Sequence, residues 1–165
     1  MPTLLLNKVQ IEQRINRIAY QIYEDNFEEK EIVLAGIVKG GYELAVRIKS
    51  VLEKITNINI HLIEVKVDKN NQAGQNIQLP ASKTELKNKV VILIDDVLNS
   101  GKTLTYALLP FLDADVKKIR TVLLVDRDHK RYPVIADFVG FKLSTTLKEH
   151  VDFDFSQGNE SVVLS

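Results

Sequence analysis

The stretch VVILIDDVLNSGKT, residues Val90–Thr103, decides the fold. Five apolar residues run straight into two adjacent carboxylates, Asp95 and Asp96, and then into a short polar loop containing Gly101. A second apolar run begins at Leu104. An uninterrupted, β-branched run of this kind predicts a fully buried central strand of a parallel sheet, and so an α/β protein. Both carboxylates then sit at the C-terminal end of that strand, and the loop feeds a helix N-terminus. Ligands bind at that place in open α/β sheets. The N–H groups of Asn99, Ser100, Gly101, Lys102 and Thr103, with the positive end of the following helix, make a seat for a phosphate dianion. Carboxylates beside such a seat can grip sugar hydroxyls or hold a hydrated divalent metal. The combination suits a phosphorylated sugar.

Two plainer readings compete. An Asp pair after a strand, without the loop, serves as often as a simple strand-end cap. The GKT triplet suggests a nucleotide-binding P-loop, but G-x-x-x-x-G-K-[ST] requires glycine at position 96, which is Asp96. The P-loop reading fails.

Around this core the chain alternates strand and helix signals. Asn7 caps a helix running to about Glu24, with Ile11, Ile15, Ile18 and Ile22 on one face. Ile32–Gly36 reads as a strand, Tyr42–Lys54 as a helix and Ile58–Val67 as a strand. From Asp68 to Pro80 the composition turns to Asn, Gln, Lys and Gly without periodicity, as in a mobile loop or lid. A helix follows from about Thr103 to Leu112, with Pro110 placed to kink it or end its regular hydrogen bonding. Ile119–Asp126, Asp137–Leu143 and Ser161–Leu164 complete the strands. Such alternation means βαβ units and a mainly parallel sheet.

Bulk composition narrows the function classes. The 165 residues suffice for one domain with a sheet covered on both faces. The 22 basic and 22 acidic side chains cancel, so nothing global favours nucleic acid or a membrane surface. Cysteine is absent, which excludes disulfides and thiol chemistry. His61 and His150 lack the spacing of a zinc site, and His129 reads as a solvated loop residue or one that shapes the base site. There is no signal-peptide layout and no apolar run of membrane length, so the cytoplasm is the expected compartment.

The whole Val90–Thr103 string resembles the 5-phosphoribosyl-1-pyrophosphate (PRPP) motif of type I phosphoribosyltransferases, with Ser100 where threonine is usual. A second string, GIVKGG at Gly36–Gly41, follows a strand and precedes a helix, which displays Lys39 at the same sheet edge as Asp95. Alone it fits a tight turn. Beside the first motif it resembles the pyrophosphate loop of hypoxanthine–guanine phosphoribosyltransferases. Thr121–Thr146, TVLLVDRDHKRYPVIADFVGFKLSTT, instead resembles the V-D-R-G-H-R-x-L-P-I-x-A-D-Y-V-G segment of the pyrimidine-operon attenuator family, which has uracil phosphoribosyltransferase activity.

These resemblances imply a single type I phosphoribosyltransferase domain over residues 1–165: a mostly parallel twisted sheet flanked by helices, with a small hood. The implied activity is transfer of ribose 5-phosphate from Mg²⁺-bound PRPP to a nucleobase, with uracil favoured and pyrophosphate released. Asp95, Asp96 and Lys39 would be catalytic, and the two aspartates would orient the metal. Residues Asn99–Thr103 would hold the 5′-phosphate, and Lys39, Gly40 and Gly41 the pyrophosphate. Asp126, Arg127, Asp137 and Phe138 would face the base. A homodimer or higher homo-oligomer is expected. The alternatives are an RNA-binding attenuator, disfavoured by the neutral charge, and a PRPP- or nucleotide-binding regulator without catalysis.

The departures concern the base and the lid. Asp126 stands where hypoxanthine–guanine enzymes place a lysine that donates to the purine 6-oxygen. Asn99 replaces their candidate general base, and Ser144 their later metal-binding aspartate. Near Val65–Lys69, Lys66 or Lys69 supplies charge where the attenuator family has arginine, but not a planar bidentate donor.

Overall fold

A computed structural model describes residues 1–68, 77–144 and 149–165. In chain order the elements are β1 (Thr3–Leu6), α1 (Lys8–Asn26), β2 (Glu31–Ile37), α2 (Gly40–Ile55), β3 (Asn59–Val67), β4 (Ile77–Gln78) and α3 (Lys83–Leu86). Then come β5 (Val90–Leu98), α4 (Lys102–Asp113), β6 (Lys118–Asp126), β7 (Phe138–Lys142), β8 (Val151–Asp154) and β9 (Ser161–Leu164).

The main sheet has the order β4-β3-β2-β5-β6-β7. Its pairs β2–β3, β2–β5, β5–β6 and β6–β7 are parallel, and only the short β4 lies antiparallel, on β3. From β2 the chain steps outward to β3, then returns to lay β5 on the other flank. The strand order therefore reverses between β2 and β5, and this opens a crevice beyond their C-terminal ends.

The central strand is buried on both faces, as its apolar run requires. Ile92 and Ile94 join a core with α1 and α2, while Val91 and Leu93 join another with Leu104, Ala107 and Phe111 of α4. A second, three-stranded sheet, β1-β9-β8, is antiparallel throughout and adds Leu6 and Val162 to the first core. It is the hood the family resemblance implies.

Local chemistry accounts for the helix ends. Asn7 Oδ1 accepts from the Gln10 N–H and Gln10 Oε1 accepts from the Asn7 N–H, both at 2.9 Å, a reciprocal capping box. The helix so started runs two residues past Glu24, to Asn26. Helix α4 does not end at Pro110 but continues to Asp113. Phe111, one residue later, is wholly buried, and its burial carries the helix on after the proline has withheld one N–H. Of the expected Asp68–Pro80 loop, residues 69–76 lie outside the described residues, and Ile77–Gln78 is strand β4.

One ion cluster ties α1 to the start of β6. Arg120 Nε donates to Asp25 Oδ2 at 3.0 Å, and Lys118 Nζ lies 3.1 Å from the same oxygen. Partial burial pushes the Asp25 carboxyl up, but the hydrogen bonds from Arg120 and Lys118 prevail and hold it below its ordinary value of 3.8. A lowered folded-state pKa stabilises the fold above the ordinary carboxylate range, and that contribution is lost as pH falls through the lowered value. Asp25→Asn is expected to cost about 1 kcal/mol at pH 7. Urea midpoints for the two proteins should converge in acid, below 3.8.

Candidate active site

The crevice between β2 and β5 brings both sequence motifs together. Asp95 and Asp96 are half-buried at the end of β5, and each turns one oxygen back onto the chain. Asp95 Oδ1 accepts from the Asp96 N–H at 2.8 Å, and Asp96 Oδ1 from the Val97 N–H at 2.7 Å. Across the crevice the peptide between Val38 and Lys39 is cis, Lys39 is exposed, and Gly40 and Gly41 open α2.

The two glycines are a steric requirement of this meeting. A Cβ on Gly40 would overlap Asp96 Oδ2 and stand 2.6 Å from Asp96 Cγ. A Cβ on Gly41 would overlap the Ile94 carbonyl oxygen and stand 2.8 Å from Asp95 Cα. Only a backbone without side chains lets the Lys39 loop lie against the carboxylates.

The loop expected to seat a phosphate lies at the start of α4. Gly101 adopts φ 85°, a left-handed conformation that glycine takes without strain, and its carbonyl accepts from the Thr105 N–H at 2.9 Å. Ser100 Oγ accepts from the Lys102 N–H at 3.2 Å. The N–H groups of Thr103 and Leu104 open the helix and have no carbonyl within it to serve. Residues 95–104 line a cavity of about 80 Å³. From behind, the Ser100 carbonyl accepts from the N–H groups of Arg131 at 2.7 Å and Tyr132 at 3.2 Å. Val134 packs so closely that a Cβ on Gly101 would lie 2.7 Å from its Cγ1.

The four expected base contacts separate into two pairs. Asp126 and Arg127 stand at the ligand edge, where Leu98, Asp126 and Lys142 share one register level across β5, β6 and β7. The Asp126 carboxylate is buried and accepts from the Asp128 N–H at 2.9 Å, capping the turn after β6. Arg127, also buried, donates to Asn99 Oδ1 at 2.7 Å and to the Glu149 carbonyl at 2.6 Å.

Asp137 and Phe138 are a correction. Phe138 pairs with Val122, four residues before the ligand edge and about 13 Å from it. Its ring packs against the core shared with α1 and α2. The Asp137 carboxylate accepts from the Thr121 N–H at 2.8 Å and so closes the bottom of β7. Strand direction explains the misplacement: a parallel strand enters at the edge opposite the crevice.

Sequence reasoning also missed Asn99 as the partner of Arg127. The residues are 28 positions apart, and no local signal joins them. Among the described residues no three His, Cys, Asp or Glu side chains gather as a metal cage. Two adjacent carboxylates are nonetheless the donor set that suits Mg²⁺, which keeps most of its waters and takes the rest of its oxygens from phosphates.

A phosphoribosyl transferase domain model matches residues 3–157, nearly the whole chain. The chain belongs to the phosphoribosyl transferase family. This phosphoribosyltransferase is 35% identical over 164 residues to "Bifunctional protein PyrR" of Geobacter sulfurreducens, covering 95% of this chain and 93% of that one. It is also 35% identical over 170 residues to the protein of the same name from Fusobacterium nucleatum, covering 98% and 96%. Among solved structures, hypoxanthine phosphoribosyltransferase from Trypanosoma cruzi in complex with the product IMP superposes with a TM-score of 0.81. Identity there is 20%, over 98% of this chain and 92% of that one, which shows a shared fold. The superfamily read from Val90–Thr103 and the α/β fold with its hood both hold. Among the described residues, no helix is long and apolar enough to cross a membrane.

Proposed function

We propose that this phosphoribosyltransferase joins the ribose 5-phosphate of PRPP to uracil. Support for the donor comes from the meeting of two anion-binding loops on one pair of carboxylates, at the point where strand order reverses. In that reading residues Asn99–Thr103 hold the 5′-phosphate. Lys39 and the N–H groups of Gly40 and Gly41 receive the pyrophosphate. Asp95 and Asp96 take the ribose hydroxyls and hold hydrated Mg²⁺, which supplies charge neutralisation at the leaving group.

The chain's own share is alignment and electrostatics. Bond breaking leaves positive charge at the anomeric carbon and negative charge on the departing pyrophosphate. In this reading the carboxylates serve the first, and Lys39, exposed beside the two glycines that pack against them, answers the second. A homodimer or higher homo-oligomer in the cytoplasm completes this proposal. RNA binding is the second activity to weigh, and the balanced charge of the chain gives it no support.

The acceptor reading rests on Asp126 and Asn99. Asp126 is buried and acceptor-only when ionised, so it offers a 6-oxopurine no donor. Asn99 takes no proton at neutral pH, and its oxygen is engaged by Arg127. A site whose polar groups mismatch a substrate rejects it strongly. Uracil is therefore expected to exceed hypoxanthine and guanine in kcat/KM by at least about a hundredfold. Steady-state rates with the three bases check this, and a purine preference overturns it.

A further inference from the structure

Strand β8 is held at both ends by arginines, Arg127 just after β6 and Arg47 of α2. At its start, the Arg127 guanidinium bridges Asn99 Oδ1, in the phosphate seat, to the Glu149 carbonyl, two residues before Val151. The Arg127 N–H also donates to the Leu98 carbonyl at 3.3 Å, which fixes its base to the end of β5. At the far end, Arg47 lies two turns into α2, the helix opened by Gly40 and Gly41. Its guanidinium donates to the Phe155 carbonyl at 3.0 Å, pairs with Glu160 at 3.3 Å and lies 5.3 Å from the Phe155 ring centre. Arg127 is buried.

We propose that Arg127 is a positioning residue that transmits occupancy of the phosphate seat to the small sheet. One planar guanidinium grips the loop and the start of β8 together, so ordering Asn99 around a phosphate also orders residues 149–155. Arg47 holds the opposite end and makes the strand move as a unit with α2. The start of β8 thus settles beside the end of β6, where the acceptor is received, only after the donor's phosphate is in place. This inference rests on the reading of residues Asn99–Thr103 as that seat.

A lysine cannot replace the fork. Its ammonium is a point donor on a flexible stem, and it reaches one acceptor or the other without holding both in a plane. Amide hydrogen exchange with and without Mg²⁺–PRPP tests the coupling on the intact protein. In the wild type, PRPP is expected to slow exchange about tenfold both in residues 98–104 and in residues 151–155. In Arg127→Lys and in Asn99→Ala, the first segment keeps most of its protection and the second loses it, while acceptor KM rises several-fold more than kcat falls. A residue of merely structural importance would loosen residues 151–155 equally with and without PRPP. Retained PRPP-dependent protection of residues 151–155 in Arg127→Lys overturns the proposal. A wild type in which residues 98–104 gain no protection overturns the seat itself, and the coupling with it. Protection of the seat alone in the wild type overturns only the coupling.

Discussion

Gly41→Ala lowers kcat by about a hundredfold or more while the protein remains folded. The added methyl meets backbone on both sides, the Ile94 carbonyl and, at 2.8 Å, Asp95 Cα. Neither can rotate aside, so the Lys39 loop must lift from β5. A shift on the order of 1 Å at a reacting centre costs about that factor. The inner face of α2, formed by Leu44, Ala45, Ile48 and Leu52, is untouched, so stability drops by only about 1–3 kcal/mol. Turnover at saturating PRPP with a thermal melt on the same sample checks both halves. Gly40→Ala is the informative companion. Its methyl meets the Asp96 side chain, which can turn away, so the damage there falls on the carboxylate and not on the loop. A wild-type rate in Gly41→Ala would show that contact between loop and carboxylates is incidental.

Asp95→Asn combined with Asp96→Asn weakens PRPP binding by more than about a hundredfold and leaves the melting temperature close to wild type. Each amide forfeits a charge-assisted hydrogen bond worth roughly 1.5–3 kcal/mol. The affinity loss follows from two such bonds, at about 1.4 kcal/mol per factor of ten. The fold is spared because the oxygens that cap Asp96 N–H and Val97 N–H survive in asparagine. Calorimetric titration with PRPP and Mg²⁺ decides it, and unchanged affinity would remove the donor site from this edge.

The parts of the fold that were legible in the sequence are those carried by local pattern. The apolar run before Asp95 announced a strand buried on both faces, and Ile92 and Leu93 indeed face opposite cores. Asn7, with the isoleucine spacing behind it, announced α1 and its cap. Strand β8 was not visible, because VDFD alternates over only four residues and two of them are charged. β1 escaped for the same shortness. The site divides along the same line. Lys39 and Asp95 were placed on one edge because each ends a strand of a parallel sheet. Phe138 was misplaced because its level depends on register with Val122, which no periodicity encodes. The bridge from Arg127 to Asn99 needs two loops in one place at once, and only tertiary structure supplies that.

The segment after β6 packs behind the Ser100–Gly101 loop as well as shaping the ground beside it. Arg131 and Tyr132 hold the Ser100 carbonyl, and Val134 fills the space at Gly101. Under the proposed function, donor recognition and acceptor recognition are therefore not separable cassettes in this chain. Transplanting residues 127–134 from a relative also rewrites the wall behind the Asn99–Thr103 loop. Drift in that stretch is constrained by the need to keep the backbone N–H groups at 131 and 132 on the Ser100 carbonyl.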